Sequence, residues 1–378
     1  MNTSNYPPEV FPYLGIDYHE TPITVAWEIT RACQLSCIYC RAEVERKPHP
    51  IELSVEDGFR VIDDIVDIGT HILVITGGDP LMRPDVHHVI DYAVSKGLQV
   101  ELAVSATKLA TRQSLQRIKN SGVSIVHVGL DGPSPEEHDT FKGSLGSYQR
   151  TMEILEDLEG LPIPIQISTT ISRYNLHVLP NLVRTLTRRN VAVWNLFFLV
   201  PFRRAWASDM ITPSEHESVY QWLYYLSKHA PFHIRATAAP GYNRVAIQMR
   251  RPRAGTKNAS WEFTGTDYSL RSSQPPPEVI VNDGKGICLI DHLGNVCPGE
   301  FLQLPAGNVR NRPLAEIYKE SPLFRDLRDP SKLRGKCGAC EFKSVCGGSR
   351  ARAYAVTGDY LAPDPSCPYV PIALRRNA

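Results

Sequence analysis

Nine cysteines fall into two groups near opposite ends of the 378-residue chain, with none between Cys40 and Cys288. In the first group, Cys33, Cys37 and Cys40 form a C-x3-C-x2-C pattern. Three thiolates at this spacing can hold three irons of a cubane iron–sulfur cluster. The fourth iron is then open to a small molecule, as a catalytic metal is. A structural zinc site is the alternative, but zinc takes four protein ligands, and the nearest spare one, His49, lies nine residues after Cys40.

The second cysteine group has a C-x2-C-x5-C-x20-C pattern. It consists of Cys337, Cys340, Cys346 and Cys367. Four thiolates can ligate a [4Fe–4S] cluster completely, and they can also form a tetrahedral zinc site. Cys288 and Cys297 are left over. They are interpreted as small buried hydrophobic residues or, alternatively, as two ligands of a partial further cluster.

Strands and helices are predicted to alternate from the strand over 22–29 to the helix over 213–229, which gives six βα units. The predicted fold class is therefore α/β. A closed eight-unit barrel needs ~250 residues, so a partial, open (β/α)6 barrel fits better. Cys33, Gly77, Ser105 and Asp131 each follow a predicted strand. Because parallel strands end at one edge of a sheet, these residues are expected to converge there.

Composition and charge patterning divide the chain into an N-terminal extension (1–20), the barrel (21–235), a linker or mobile loop (236–280) and a small cysteine-rich domain (281–378). The basic stretch 250–257 within the linker is interpreted as solvated, with a substrate lid or an anion-attracting strip as the alternative.

The formal net charge is +1 and 42% of the residues are hydrophobic. Such a balance predicts no general attraction to nucleic acid or to an anionic membrane. No apolar run reaches the ~20 residues of a membrane helix, and residues 1–15 lack the pattern of a signal peptide. The predicted location is the cytoplasm, where disulfides are rare and the cysteines are better explained as metal ligands.

The first cysteine group resembles the signature loop of the radical S-adenosylmethionine (SAM) superfamily, in which an aromatic residue, here Tyr39, precedes the last cysteine. The resemblance extends to the turn Gly77-Gly78-Asp79-Pro80, although the family usually has glutamate where Asp79 stands. It implies a [4Fe–4S] cluster with three cysteine ligands, whose open iron is chelated by SAM. Backbone carbonyls of the glycine turn would face the SAM ammonium group.

The same resemblance makes four residues after strands three to five candidates for contacts to the SAM ribose or carboxylate, or for shaping the pocket. They are Ser105, Asp131, Ser168 and Arg173. Each is also explained as an ordinary turn or cap residue. His138 and Asp139, with Gly143, match a further stretch of the family whose role is partly structural.

The C-terminal region resembles the SPASM/twitch-type extension, which carries auxiliary clusters in related enzymes. Arg350 and Gly299 stand where the full pattern has cysteines of an inner cluster. The resemblance therefore implies one auxiliary [4Fe–4S] cluster, bound by the four cysteines of the second group.

The stretch from Cys346 to Tyr354, together with residues 358–359 and 364–368, is most similar to the haem-biosynthesis branch of the superfamily, which includes the alternative haem synthase and the haem d1 maturation enzymes. This implies that a 5′-deoxyadenosyl radical abstracts hydrogen from the substrate, with a net oxidation such as decarboxylation of a porphyrin propionate. Arg350 and Arg352 could bind propionates, or they belong to a solvated or cluster-supporting helix. An electron donor such as flavodoxin or ferredoxin is expected.

Two other functions stay open at this point. SPASM enzymes commonly modify a ribosomal peptide or a small natural product, but only about 20 residues precede the first strand, which disfavours an N-terminal peptide-binding domain. A non-catalytic electron-transfer protein is the third hypothesis, and the open iron and the glycine turn disfavour it. No catalytic side chain is assigned, although Tyr39, Tyr354 and His138 are present.

Overall fold

The computed structural model describes residues 17–250, 261–264, 269–272 and 281–375. The strands of this part of the chain are β1 (Thr24–Glu28), β2 (Ile72–Thr76), β3 (Gln99–Val104), β4 (Ile125–Gly129), β5 (Ile165–Ile171), β6 (Val193–Phe198), β7 (His233–Thr237), β8 (Trp261–Thr264), β9 (Ser269–Ser272), β10 (Asn282–Asp283), β11 (Gly286–Ile290), β12 (Asn295–Cys297) and β13 (Gly307–Asn308).

The helices are α1 (Val55–Asp67), α2 (Val86–Ser95), α3 (Arg112–Asn120), α4 (Pro135–Lys142), α5 (Ser147–Glu159), α6 (Leu179–Thr187), α7 (Pro213–Leu226), α8 (Gly241–Arg250), α9 (Leu314–Glu320), α10 (Pro322–Arg328), α11 (Gly335–Gly338), α12 (Arg350–Thr357) and α13 (Ile372–Arg375).

Strands β1 to β7 form a parallel sheet in which the strand order follows the sequence, and at least one helix connects each strand to the next. The α/β fold class is thereby confirmed. The prediction that the alternation stops near residue 230 was wrong, because β7 and α8 follow. Strand β7 carries His233, Arg235 and Thr237 at alternate positions, and this polar pattern conceals a strand when an apolar run is sought.

The segment 236–280, predicted as a linker, differs from that prediction at its start. The last residues of β7 and all of α8 lie there, and Tyr242 and Val245 of α8 are buried. Strands β8 and β9 then pair as an antiparallel hairpin. The basic stretch 250–257 lies outside the described residues apart from Arg250.

The C-terminal region extends the same sheet. Strand β11 pairs in parallel with β1, so that Thr24 is opposite Ile287 and Ala26 is opposite Leu289. Strands β12 and β13 then add in antiparallel fashion beyond β11. Within the described residues the sheet ends at β13 on one side and β7 on the other, and these two strands do not pair. The sheet is therefore open, and the cysteine-rich region is joined to it by backbone hydrogen bonds.

The two faces of the sheet differ in polarity. On β4, for example, Val126 and Val128 are buried in the apolar core, whereas His127 and Gly129 face a cavity. Because successive strand residues point to opposite faces, the helices cover an apolar outer layer and leave a polar interior. No helix in the described ranges is long and apolar enough to cross a membrane.

Candidate active site

A cavity of about 320 Å³ opens inside the curved sheet. Every second residue of the parallel strands lines it, which places one side of each strand on a common space. The strand residues that line it at alternate positions are Thr24, Ala26, Ile72, Val74, Thr76, Glu101, Ala103, His127, Gly129, Gln166, Ser168, Thr170, Asn195, Phe197, Arg235, Thr237 and Ile287, and the further strand residues that line it are Val104, Phe198, Asn282 and Asp283. The loop that follows β1 covers the carboxyl end of this cavity.

That loop carries the first cysteine group, and Cys33, Cys37 and Cys40 all line the cavity. The backbone N–H of Leu35 donates to Cys33 Sγ at 3.4 Å, and Ser105 Oγ lies 3.9 Å from the same sulfur. Burial raises the pKa of the Cys37 thiol to about 11. Three thiols around one space, with hydrogen-bond donors against a sulfur, fit one face of an iron–sulfur cluster.

The glycine turn after β2 packs directly on the cysteine loop. Gly78 N donates to Thr30 O at 2.8 Å, and Asp79 N donates to Ala32 O at 2.7 Å. A Cβ atom on Gly77 would lie 2.4 Å from Thr30 O, and one on Gly78 would lie 2.4 Å from Ala32 O. The two glycines are therefore required for close approach to the cysteine loop, a reason that the resemblance did not supply.

The predicted SAM contacts separate into two sets. Gly77, Gly78, Ser105 and Ser168 line the cavity, and the Ser105 hydroxyl donates to Gly78 O at 3.0 Å. The other four, Asp79, Pro80, Asp131 and Arg173, do not line it.

Asp79 has a local structural role. Its carboxylate accepts hydrogen bonds from the Thr107 hydroxyl at 2.6 Å and from Leu81 N at 3.2 Å. It caps the short 3-10 turn that begins at Pro80. Burial raises the pKa of Asp79. Asp79 and Pro80 thus stabilise the turn without lining the cavity.

Arg173 lies on the outer rim, on the loop after β5. It is exposed, and its Nη1 donates to Ser208 O at 3.0 Å.

Asp131 belongs to a buried triad with Tyr39 and Lys142. The Tyr39 hydroxyl donates to Asp131 Oδ2 at 2.6 Å, and Lys142 Nζ lies 2.8 Å from the same oxygen. Lys142 Nζ also donates to the Tyr39 hydroxyl at 2.7 Å, and Thr170 N donates to Asp131 Oδ1 at 2.7 Å. Burial acts to lower the pKa of Lys142, but Asp131 outweighs it and the pKa is raised.

The triad explains why a tyrosine directly precedes Cys40. Its hydroxyl group anchors the cysteine loop to Asp131, after β4, and to Lys142 of α4. Lys142 itself lines the cavity. Sequence reasoning missed it, although it directly precedes Gly143 in a stretch that the resemblance had marked as partly structural.

A second buried network joins the cysteine loop to the C-terminal region. Glu28 accepts hydrogen bonds from Arg31 Nε and Arg41 Nη1, both at 3.0 Å, and His292 Nδ1 lies 3.3 Å away. Arg41 also binds Glu300 at 3.0 Å. Burial acts to raise the pKa of Glu28, but these neighbours outweigh it and the pKa is lowered.

A layer of polar side chains crosses the cavity closer to the amino ends of the strands. His127 Nε2 lies 2.8 Å from Glu101 Oε2, Arg235 Nη1 lies 3.7 Å from the same oxygen, and Arg235 Nη1 donates to Gln166 Oε1 at 2.9 Å. Burial alone would raise the pKa of Glu101, but Arg235 and His127 lower it to about 2. Sequence reasoning did not identify this layer. The sequence feature that indicates it is an ionisable residue at a cavity-facing position of each of β3, β4 and β7, namely Glu101, His127 and Arg235.

The second cysteine group has a repeated hydrogen-bond pattern. Gly348 N, two residues after Cys346, donates to Cys346 Sγ at 3.4 Å. Asp364 N donates to Cys337 Sγ, also at 3.4 Å. Burial raises the pKa of the Cys340 and Cys367 thiols, and the backbone N–H groups two residues after each act against that rise. All nine cysteines are free thiols.

Hydrogen bonds to sulfur are typical of cluster-binding loops, so the donor set fits a fully ligated iron–sulfur cluster. Among the described residues, no three His, Cys, Asp or Glu side chains are grouped around a single metal-ion position.

Arg350 and Arg352 on α12 are buried and do not line the cavity. Arg350 donates to the carbonyls of Tyr360 and Ala362 at 2.8 Å, and its Nη2 lies 3.8 Å from a sulfur of the second cysteine group. Arg352 pairs with Asp364 at 3.2 Å. These contacts favour the cluster-supporting interpretation over direct binding of a propionate.

Cys288 and Cys297 project from opposite faces of the sheet. Cys297 is directly opposite Leu289 and packs with it, whereas Cys288 precedes Leu289 on β11 and packs in the helix-side core. Adjacent strand residues cannot reach one common ligand from opposite faces. The geometry favours the interpretation of both cysteines as buried hydrophobic residues.

Comparison with known proteins adds independent information. The sequence profile of the radical SAM superfamily matches residues 27–185. The AdoMet-dependent heme synthase of Nitratidesulfovibrio vulgaris is 39% identical over 349 residues, covering 92% of each chain. That of Methanosarcina barkeri is 36% identical over 353 residues, covering 93% of this chain and 97% of the relative.

Among solved structures, Streptococcus suis SuiB bound to S-adenosylmethionine matches with a TM-score of 0.68 and 12% identity, covering 93% of this chain and 78% of that chain. At this identity, the match demonstrates a shared fold alone.

Proposed function

Because the chain belongs to the radical SAM superfamily, we propose that it oxidatively decarboxylates propionate side chains of an iron porphyrin. Membership of the family implies a [4Fe–4S] cluster and SAM. The cavity that gathers Cys33, Cys37 and Cys40 beside the glycine turn is the observation that carries the proposal. The similarity to AdoMet-dependent heme synthases along nearly the whole chain supports the proposed substrate class.

The three thiols would hold three irons, and the side of the cavity formed by Gly78 O, Ser105 and Ser168 would receive SAM. When bound, the cluster and SAM supply a 5′-deoxyadenosyl radical, which removes a hydrogen atom from an unactivated carbon. The cysteine loop, which covers the carboxyl end of this space, would limit the access of water to it.

Decarboxylation of a propionate requires an electron acceptor. Hydrogen-atom removal leaves a carbon radical, and release of carbon dioxide with formation of a vinyl group requires the loss of one more electron. The second cysteine group would hold an auxiliary [4Fe–4S] cluster able to accept it. Electrons for SAM cleavage would come from flavodoxin or ferredoxin in the cytoplasm.

The test is an anaerobic assay with the reconstituted protein, SAM, dithionite and iron-coproporphyrin III, followed by mass spectrometry. The expected product has lost one hydrogen atom, one electron and carbon dioxide per propionate, with one 5′-deoxyadenosine formed for each. The Cys37→Ala variant is the control without SAM cleavage. Formation of 5′-deoxyadenosine with an unchanged porphyrin would contradict the proposed substrate, and peptides and small metabolites would then be tested.

The auxiliary cluster is tested by metal analysis. The wild-type protein is expected to hold about eight irons, and Cys346→Ala about four, with the EPR signal of the SAM-binding cluster retained. Stoichiometric zinc in place of the second set of irons would contradict the auxiliary cluster and favour a structural zinc site.

A further inference from the structure

The loop between β6 and α7 (residues 199–212) forms part of the cavity rim and is unusually rich in arginine and aromatic side chains. Phe202 lines the cavity, Arg203 and Arg204 follow it in the chain and are exposed, and Trp206 is 71% exposed. A loop of this length in a compact domain usually serves a function. Tryptophan is enriched at binding surfaces, because its ring is apolar and its N–H group is polar.

The loop is ordered by its own hydrogen bonds. Asp209 Oδ2 accepts from Trp206 N at 2.9 Å, and Asp209 Oδ1 accepts from the Tyr174 hydroxyl at 2.8 Å. Arg173, from the loop after β5, donates to Ser208 O and stacks over the Tyr174 ring at 5.3 Å. Two neighbouring loops therefore hold cationic and aromatic groups together on one edge.

This edge is also fixed to the cysteine loop. Arg203 forms an ion pair with Glu43, and it donates to Gln303 Oε1 at 3.3 Å. Both Arg203 and Glu43 have positive φ, at 58° and 47°. Non-glycine residues adopt this conformation at an energetic cost, and such residues concentrate at ligand-binding sites. Arg204, in contrast, has no ion-pair or hydrogen-bond partner within the described part of the chain.

The volume of the cavity bears on how much of a porphyrin it can hold. Sites for drug-sized ligands occupy ~300–1,000 Å³, and the cavity, at about 320 Å³, is at the lower end of that range. It has to accept SAM as well. With SAM bound, we expect one reacting propionate to enter and most of the macrocycle, with its other carboxylates, to lie at the mouth.

We propose that Arg173, Arg203, Arg204 and Trp206, hereafter the arginine–tryptophan rim, bind the macrocycle and the carboxylates that remain outside the cavity. This inference rests on the proposed function. The indole offers a flat apolar surface for the macrocycle, and the guanidinium groups match carboxylates in charge and geometry. The rim would thereby present one propionate at a time to the interior.

The test measures porphyrin binding separately from the reaction. Iron-coproporphyrin III is titrated into the reconstituted protein without reductant, and the shift of its Soret band gives the Kd. Arg204→Gln is expected to weaken binding roughly three- to fivefold, which corresponds to one partly exposed ion pair, and Trp206→Ala roughly tenfold. Arg188→Gln and Tyr225→Ala are the matched controls, since both residues are exposed and lie outside the rim, Arg188 directly after α6 and Tyr225 on α7.

Three further readouts make the result specific. The difference between wild type and Arg204→Gln should shrink at high salt, because partly exposed charges are screened. The tetramethyl ester of the porphyrin should bind the wild type weakly. Iron content and SAM affinity should be unchanged in the rim variants, which shows that they fold.

The outcomes separate the two proposals. If the wild type binds and converts the porphyrin and the rim variants bind it as tightly, the rim inference is overturned and the proposed function stands. If the wild type neither binds nor converts it, both are overturned.

Discussion

Replacement of Gly78 by alanine tests whether the glycine turn supports the cysteine loop. The added Cβ would lie 2.4 Å from Ala32 O and 2.7 Å from Arg31 O, whereas ordinary contact begins at 3.4 Å. The loop would have to move by about 1 Å, which would also stretch the hydrogen bond from Asp79 N to Ala32 O. Forced overpacking of this kind costs about 1–3 kcal/mol. Because the moving backbone carries Cys33, we expect the SAM-binding cluster to be lost or displaced.

The assay compares iron and sulfide content, the EPR signal of the reduced protein, and the rate of 5′-deoxyadenosine formation. A misplacement of about 1 Å at reacting groups can lower a rate ~100-fold, so we expect a loss of that order, with the auxiliary cluster retained. Gly160→Ala is the matched control, since its Cβ would meet nothing closer than 3.6 Å. A Gly78→Ala protein with wild-type iron content, EPR signal and SAM cleavage would refute the reasoning.

Three other changes probe the buried charges and the remaining cysteines. Lys142→Met is expected to cost about 3 kcal/mol of stability, because it leaves the Asp131 carboxylate buried without its cation. Loss of the positive charge should also make the reduction potential of the SAM-binding cluster more negative. An unchanged reduction potential in a redox titration would contradict a role for the ammonium group. Glu101→Gln should lower stability by about 3 kcal/mol, since the lowered pKa of Glu101 stabilises the fold above about pH 4.5 and that contribution is lost only as the pH falls towards 2. The stabilities of the wild type and the variant should therefore converge as the pH falls from about 4.5 towards 2, and a difference that stays the same over this range would count against the assignment. Cys288→Ala and Cys297→Ala should each retain the full iron content, and a loss of irons in either would show that it is a ligand.

The sequence predicted the parts of the fold that depend on local patterns. The apolar run 72–76 and the glycines after it are strand β2 and its turn, and the cysteines lie where the loop after β1 reaches the cavity. Strand β7, which the sequence analysis missed, faces the cavity with polar residues. The polar residues of β7 are explained by the cavity that they face. No pattern within residues 233–237 indicates that cavity.

The site residues that the sequence analysis did not predict form hydrogen bonds and ion pairs with residues far away in the sequence. Lys142 becomes functionally interesting only because Tyr39 and Asp131 meet it in space, and no spacing along the chain indicates this. Arg350 and Arg352 illustrate the converse. From the sequence, these two arginines were candidates for binding carboxylates. In the structure they are buried, and their guanidinium groups bind backbone carbonyls and Asp364.

The cysteine-rich region and the barrel are coupled more closely than a division into domains suggests. Strand β11 continues the parallel sheet at β1, the strand that leads into the first cysteine loop. Asp283, which lines the cavity, accepts a hydrogen bond from Ala351 N at the start of α12, and burial raises the pKa of Asp283 to about 6. Arg352 of the same helix donates to Ala238 O beside the cavity at 2.9 Å.

Helix α12 therefore contacts the cavity wall at one side and the second cysteine group at the other, where Arg350 lies against a sulfur. A change at the second group would reach the cavity through one short helix, without any movement between separate bodies. Contacts of this one helix therefore connect the second cysteine group to the cavity wall. The same contacts explain why α12 carries arginines that are buried and hydrogen-bonded instead of solvated.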